Sequence, residues 1–307
     1  MTLAIDVLMP AAASEYGAAA VEILDRYRDA FAAHGMTLAT RPWDQGPGDG
    51  DDGTDATLAL FAWGYHLDVA RWEAILAAWP AERLLLNAPA LLAWNTRKTY
   101  LLELEAAGIP IVPSRFGRAD DASLAAAFDH FGAEELVVKP QGSGGSFRTV
   151  RVRRGDPIEP LDDAIIQPFV PAVSGEGELS FLFIGGTFSH AVRKVAKQGD
   201  FRIQPQFGGQ FSRFEPEPSQ LALAETVIAA LPEPSLYARV DLLRVADGSL
   251  ALMELEAIEP DLYPHMAPEL PARLAGAVAA QCSGQVQITN GVPTSTTRID
   301  SGAPSRA

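Results

Sequence analysis

The stretch from Tyr237 to Glu256 narrows the choice of fold more than any other part of this chain. Two apolar-rich runs flank the dipeptide Asp247-Gly248, the composition of a two-residue hairpin turn. Such a turn sets Asp241 opposite Glu254 and Arg239 opposite Glu256. Alternation then gathers these four side chains on one face and leaves Val240, Leu242, Met253 and Leu255 on the other. Opposed carboxylates destabilise an ordinary sheet, so this face calls for a cation. Oxygen ligands without His or Cys suit Mg²⁺, and Arg239 offers a planar donor fork for an anion. The plainer alternative is a solvated strand face with an Arg239–Glu256 pair, which gives no reason for Asp241 to face Glu254. A three-residue turn would slip the register by one and undo the arrangement.

Charge narrows the ligands. The 307 residues include 24 Lys and Arg against 39 Asp and Glu, a net charge of −15. Such a chain repels a nucleic-acid backbone, so any anion it binds is held by a few local cations or a metal. No apolar run approaches the roughly 20 residues of a membrane span. Met1–Pro10 lacks a basic leader region, and the single Cys282 supports neither a disulfide nor a cysteine metal cluster. These features point to the cytoplasm.

Strands and helices alternate through the first 86 residues, the pattern of a small parallel α/β layer. The helix over 17–34 presents Leu24, Tyr27 and Phe31 at helical spacing. Gly46–Gly53 is an acidic turn without the terminal Glu of a calcium loop. The spacing predicts helices over 96–107, 121–131, 219–230 and 267–280, with strands at 135–139, 147–153, 164–167, 179–184 and 187–195. Residues 283–307, rich in Ser, Thr, Gly and Pro, read as disordered.

Cations recur beside glycines. Lys139 ends an apolar strand and precedes Gly142, Ser143, Gly144, Gly145 and Ser146. Small residues there could turn backbone N–H groups toward a phosphate, although a plain hairpin turn would look the same. Lys98 falls within a helical pattern, where a solvated lysine is the ordinary case. A two-residue turn at Gly185-Gly186 sets Glu178 opposite Arg193, with Lys194 beside it. Arg202 lies in the polar loop beyond. Trp63, Tyr65 and His66 of the first segment are candidate substrate contacts, and His190 and His265 could join them, although a lone His is more often structural.

In order, Trp94-Asn-Thr-Arg-Lys98, Val138-Lys139-Pro140 with Gly142–Gly145, Ile166–Val170, Gly177-Glu178, Arg193-Lys194, Gly199–Arg202, Gly208-Gly209, Arg239-Val-Asp241 and Glu254-Leu-Glu256 resemble the markers of the ATP-grasp superfamily. The resemblance spans roughly 84–264 and is strongest to its cycloserine-biosynthesis and glutathione-synthetase-like branches. It implies a mixed α/β and α+β architecture. An N-terminal α/β lobe (1–93) would precede a lobe with a glycine-rich lid (94–170), a lobe with a metal site (171–282) and a tail (283–307). It further implies that Lys98 and Lys139 hold ATP phosphates under the loop Gly142–Ser146. Gln167, Phe169 and Val170 would hold adenine, and Glu178 ribose. Asp241, Glu254 and Glu256 would bind two Mg²⁺, with Mn²⁺ as an alternative. The family commonly has Asn where this chain has Glu256, an exchange that keeps an oxygen ligand and adds charge.

The implied activity is ATP-dependent ligation of a carboxylate to an amine or similar nucleophile through an acyl-phosphate. Lys194 would hold phosphate, and Arg239 and Arg202 would stabilise the developing oxyanion. The substrates would be small carboxylates and amines, amino-acid-like or peptide. A small-molecule kinase and a non-catalytic binding protein are the competing readings, and a homodimer is left open.

Overall fold

A computed structural model describes residues 2–48, 53–197, 202–203, 208–284 and the short segments 286–287 and 294–295. The first unit is the expected parallel layer. Strands β1 (Leu3–Met9), β2 (Met36–Pro42), β3 (Ala56–Leu58) and β4 (Leu85–Leu86) lie in the order β2-β1-β3-β4, all parallel. Helix α1 (Gly17–Ala33) turns Leu24, Tyr27 and Phe31 onto this sheet, and α2 (Val69–Ala77) buries Trp72 and Leu76.

The helix expected over 96–107 is two helices. α3 (Pro89–Thr96) and α4 (Tyr100–Ala106) are separated by a turn that carries Lys98. α5 (Asp121–Phe131) begins in a capping box between Asp120 and Ser123. It packs on a sheet ordered β5-β8-β6-β7, formed by β5 (Arg115–Ala119), β6 (Glu135–Pro140), β7 (Val150–Arg153) and β8 (Leu161–Pro168). The sequence reading had missed β5, whose Arg-Phe-Gly-Arg-Ala carries little apolar alternation.

The largest sheet is antiparallel, ordered β11-β10-β9-β12-β13. Its strands are β9 (Glu178–Ile184), β10 (Thr187–Val195), β11 (Gln210–Phe214), β12 (Tyr237–Arg244) and β13 (Leu250–Glu256). On β9 the period-2 rule divides the labour. Leu179, Phe181 and Phe183 face a core with α4 and α6 (Pro218–Ala229), while Leu182 and Ile184 face the first unit and α7 (Leu270–Cys282). Only the end of that second face, at Glu178 and Ser180, is polar. Beyond α7, β14 (Val286–Gln287) pairs with β15 (Thr294–Ser295). Most of the tail expected to be disordered lies outside the described residues, as do Asp49–Asp52 of the acidic turn.

Two registers depart from expectation, each through one extra residue. In the β9–β10 hairpin a bulge at Ser189 sets Lys194, not Arg193, opposite Glu178. In the β12–β13 hairpin the turn has three residues, Ala246 to Gly248, with Val245 N–H bonded to Ser249 O. Leu243 therefore faces Ala251. A bulge at Met253 then restores the register, so Asp241 faces Glu254 and Arg239 faces Glu256 as expected. The bulge also turns Met253 away from the apolar face where the simple alternation had put it. It packs instead with Phe169, Val170 and Leu243.

Asn87, at left-handed φ 57°, ties the first unit to the large sheet. Its amide donates to Tyr237 O (2.9 Å) and Ala257 O (2.7 Å), and its carbonyl oxygen accepts from Leu236 N–H (2.6 Å). Replacing Asn87 by Ala leaves three buried backbone groups unpaired. We expect a stability loss of about 3 kcal/mol, measurable by urea unfolding.

Candidate active site

The edge of β13 is where the site is assembled. An edge strand has unpaired backbone groups, and side chains from α3 and α4 satisfy them here. Asn95 donates to Leu255 O (2.9 Å) and accepts from Ala257 N–H (2.7 Å). The Tyr100 hydroxyl donates to Leu255 O and accepts from Leu255 N–H, both at 2.9 Å. Asn95 and Tyr100 bracket Lys98, so the turn between the helices holds its ammonium 3.0 Å from Glu254 Oε1 and 3.2 Å from Ser143 Oγ. A lysine that looked solvated in the sequence is thus buried between the acid pair and the glycine loop.

A cleft of about 400 Å³ opens on this edge. The structure brings nearly all the expected residues to it: Lys98, Lys139, Ser143, Gly144, Gly145, Ser146, Gln167, Phe169, Val170, Glu178, Lys194, Arg202, Arg239, Asp241, Glu254 and Glu256. Gly142 is the exception. A Cβ there would come within 2.8 Å of Val69 Cγ2, so this glycine seats the loop against the first unit. Gly199–Phe201 lie outside the described residues. His190 is buried in the large sheet and His265 is exposed, and neither lines the cleft.

Electrostatics set the charge states. Asp241 accepts from Ser180, from Lys194 (3.2 Å) and from Arg239 (2.9–3.1 Å). Burial alone would raise its carboxyl, but Arg239 and Lys194 outweigh burial and bring it down to about 2. Burial pushes Glu178 up to about 7 even though Lys194 pairs with it. Burial also pushes Glu256 up to about 7, opposed by Arg239 and reinforced by Glu254 and Asp241. For Glu254 the burial effect is overcome by Lys98 and Lys139, which hold it below its usual value. Burial, with the nearby Lys98 charge, lowers Lys139 to about 8.

Among the described residues no three acidic or His side chains converge on a common metal position. Asp241, Glu254 and Glu256 line one cleft, but Arg239, Lys194 and Lys98 each neutralise them in place. Glu178, expected at a ribose, is likewise engaged by Lys194. The donor set still fits a hard cation, because all its ligand atoms are oxygens and Glu256 sits among like charges. Apolar side chains form the other wall: Val112, Val173, Leu243 and Met253, with Phe169 stacked under the Arg151 guanidinium at 3.6 Å. The sequence reading missed Asn95 and Tyr100 as positioning residues, Ser180 as a partner of Asp241, and Glu259. Only Glu259 had a sequence signal, as the next acid after Glu254 and Glu256.

No protein-family model matches the chain. It is 29% identical over 269 residues to the cycloserine biosynthesis protein DcsG of Streptomyces lavendulae, covering 80% of this chain and 89% of that protein. It is 34% identical over 162 residues to the glutathione synthetase of Prochlorococcus marinus (strain MIT 9313), about half of each chain. The crystal structure of D-cycloserine synthetase DcsG superposes with a TM-score of 0.77 at 25% identity, covering 91% of this chain and 99% of that one. The fold is also that of D-alanyl-alanine synthetase A from Vibrio cholerae, at a TM-score of 0.65 and 14% identity. With the opposed acids, the buried lysines and the glycine loop converging on one cleft, the chain is similar in sequence and in fold to ligases of the ATP-grasp kind.

Proposed function

We propose that the cleft converts the carboxylate of a small amino-acid-like or peptide substrate into an acyl-phosphate and passes it to an amine, releasing ADP and phosphate. The observation that carries this reading is Glu254. It stands opposite Asp241 and against Lys98, where β13, the glycine loop and the two helices meet. Asp241, Glu254 and Glu256 are the residues that would hold Mg²⁺, two ions in this reading. The metal supplies neutralisation of phosphate charge. Lys98 and Lys194 would exchange carboxylate partners for phosphate oxygens, leaving carboxylate oxygens for the metal, and Lys139, beside Met253 Sδ at 3.9 Å, would add a third cation. Arg239, held by Asp241 and Glu256, presents a fixed fork to the acyl-phosphate and to the oxyanion formed on amine attack, with Arg202 also lining the cleft. Gln167–Val170 and the apolar wall around Met253 accept the adenine, and Glu178 the ribose. The loop 142–149 excludes water from an intermediate that water would hydrolyse. Soluble small-molecule chemistry of this kind accords with a cytoplasmic enzyme, and among the described residues no helix is long and apolar enough to cross a membrane.

Phosphate release from Mg-ATP should require both a carboxylate and an amine substrate. Glu254→Gln should lower kcat by about 100-fold or more. A stable phosphorylated product formed without an amine would instead identify a kinase.

The charge states predict a bell-shaped pH dependence for thermal stabilisation by Mg-ADP. Metal binding needs Glu256 deprotonated, so the acid limb should fall near pH 7. Phosphate binding needs Lys139 protonated, so stabilisation should decline as pH rises through about 8. Glu256→Gln should remove the acid limb and Lys139→Arg the alkaline one.

A further inference from the structure

The segment that follows β13 holds a backbone conformation that its side chain disfavours. Tyr263 has φ 51°, in the left-handed region that bulky residues seldom enter. Asn87 tolerates that region, and Ser146 and Arg148 belong to the glycine loop, but an aromatic residue there is under strain. Such strain persists only where the surroundings over-determine it, and it collects at functional sites. Three contacts hold it here. The Tyr263 N–H donates to Asp261 Oδ1 (2.8 Å), its carbonyl accepts from Met266 N–H (2.9 Å), and Phe211 meets the ring edge to face at 5.5 Å.

The strained residue lines the cleft beside Arg239, whose guanidinium carbon lies 5.8 Å from the centre of the Tyr263 ring. Tyr263 is only 3% exposed. Among the described residues no hydrogen bond reaches its hydroxyl, which is nonetheless not sealed from the cleft. Burial raises its pKa, so the phenol keeps its proton and can donate. Arg239 also has a donor to spare. Its Nε and Nη2 donate to Asp241 and Glu256, and Nη1 gives one N–H to Asp261 O (3.4 Å), which leaves the other Nη1 N–H unpaired among the described residues. Nη1 is the corner of the guanidinium that meets the segment carrying Tyr263. Two unused donors, one of them charged, thus stand in one stretch of cleft beside the acids that would hold the metal, a donor set that suits an anionic oxygen.

We propose that the Tyr263 hydroxyl and the unpaired Nη1 N–H of Arg239 form a donor pair for the phosphoryl group as it passes from ATP to the substrate carboxylate. This rests on the ligase reading and deepens it by adding a catalytic residue. The phenol donates a hydrogen bond to one of the phosphoryl oxygens over which charge is spread during transfer. Its proton stays on the phenol, and no bond to Tyr263 forms or breaks. The left-handed backbone sets the hydroxyl in place beforehand, so the donor needs no reorganisation when the charge moves.

The test uses the full chain with saturating Mg-ADP and a titration of fluoroaluminate, an anion that takes the phosphoryl position beside ADP. Thermal shift reads binding. In the wild type fluoroaluminate should add stabilisation to that given by Mg-ADP. Tyr263→Phe keeps the ring, its contact with Phe211 and the backbone hydrogen bonds. It should therefore retain the Mg-ADP shift yet bind fluoroaluminate roughly 10- to 100-fold more weakly, the effect of one hydrogen bond to a charged acceptor. Tyr263→Leu should lose at least as much. The proposal is overturned if Tyr263→Phe binds fluoroaluminate like the wild type, even where Tyr263→Leu is impaired, because the ring would then serve packing alone. It is overturned too if Tyr263→Phe loses the Mg-ADP shift, or if fluoroaluminate adds nothing to a wild type that Mg-ADP stabilises. Absence of any Mg-ADP shift in the wild type would fail the nucleotide reading instead.

Discussion

Asp241 is the charge on which the cleft depends. It is 1% exposed and stays ionised only because Arg239, Lys194 and Ser180 surround it. Removing an ion from water costs several kcal/mol even after relaxation, so each of these groups justifies the burial of the others. Lys194 in turn holds Glu178, and Arg239 holds Glu256. The lattice therefore runs across four adjacent strands, β10, β9, β12 and β13, and fixes the floor of the site before any ligand is present. It also explains why the three acids do not gather around a common point in this structure. Their counter-ions are lysines and an arginine, the same side chains that suit phosphate oxygens.

Much of the floor was legible from sequence because opposed acids on a strand face are expensive without a purpose. The pairing of Asp241 with Glu254 was anticipated correctly, but through an argument that omitted two compensating features. A three-residue turn slips the register, and Met253 slips it back. Neither bulge carries a local signature, since Met253 and Ser189 are unremarkable in a strand. The consequence was a misassigned partner for Glu178 and a misplaced Met253. Lys98 is instructive in the opposite sense. Helical periodicity ran across it, and only the tertiary needs of an edge strand, met by Asn95 and Tyr100, break the helix there and bury the ammonium. Family resemblance supplied that residue where residue-level physics had favoured solvent.

The packing also interleaves elements that are distant in the chain. α4 buries Tyr100, Leu101 and Leu104 against Phe181 and Val240 of the large sheet, although it precedes the smaller sheet in the chain. α7 packs on α1 of the first unit. The small sheet β5-β8-β6-β7 has its own core around Phe128, Leu136 and Ile166. Its glycine loop is pinned through Gly142 and Val69 to the first unit and through Ser143 to Lys98. The roof of the cleft is thus anchored at its start, through two neighbouring residues that reach two different parts of the chain.

The paired irregularities of the β12–β13 hairpin have an evolutionary consequence. Because the bulge lies between the tip and the acids, a lineage could shorten the tip by one residue and lose Met253's extra place together, leaving Asp241 and Glu254 still face to face. Length variation at that exposed corner is thereby uncoupled from the chemistry below it. Homologues with tips of different length can conserve the same floor, and an alignment that slides gaps through 245–253 would misreport which residues correspond.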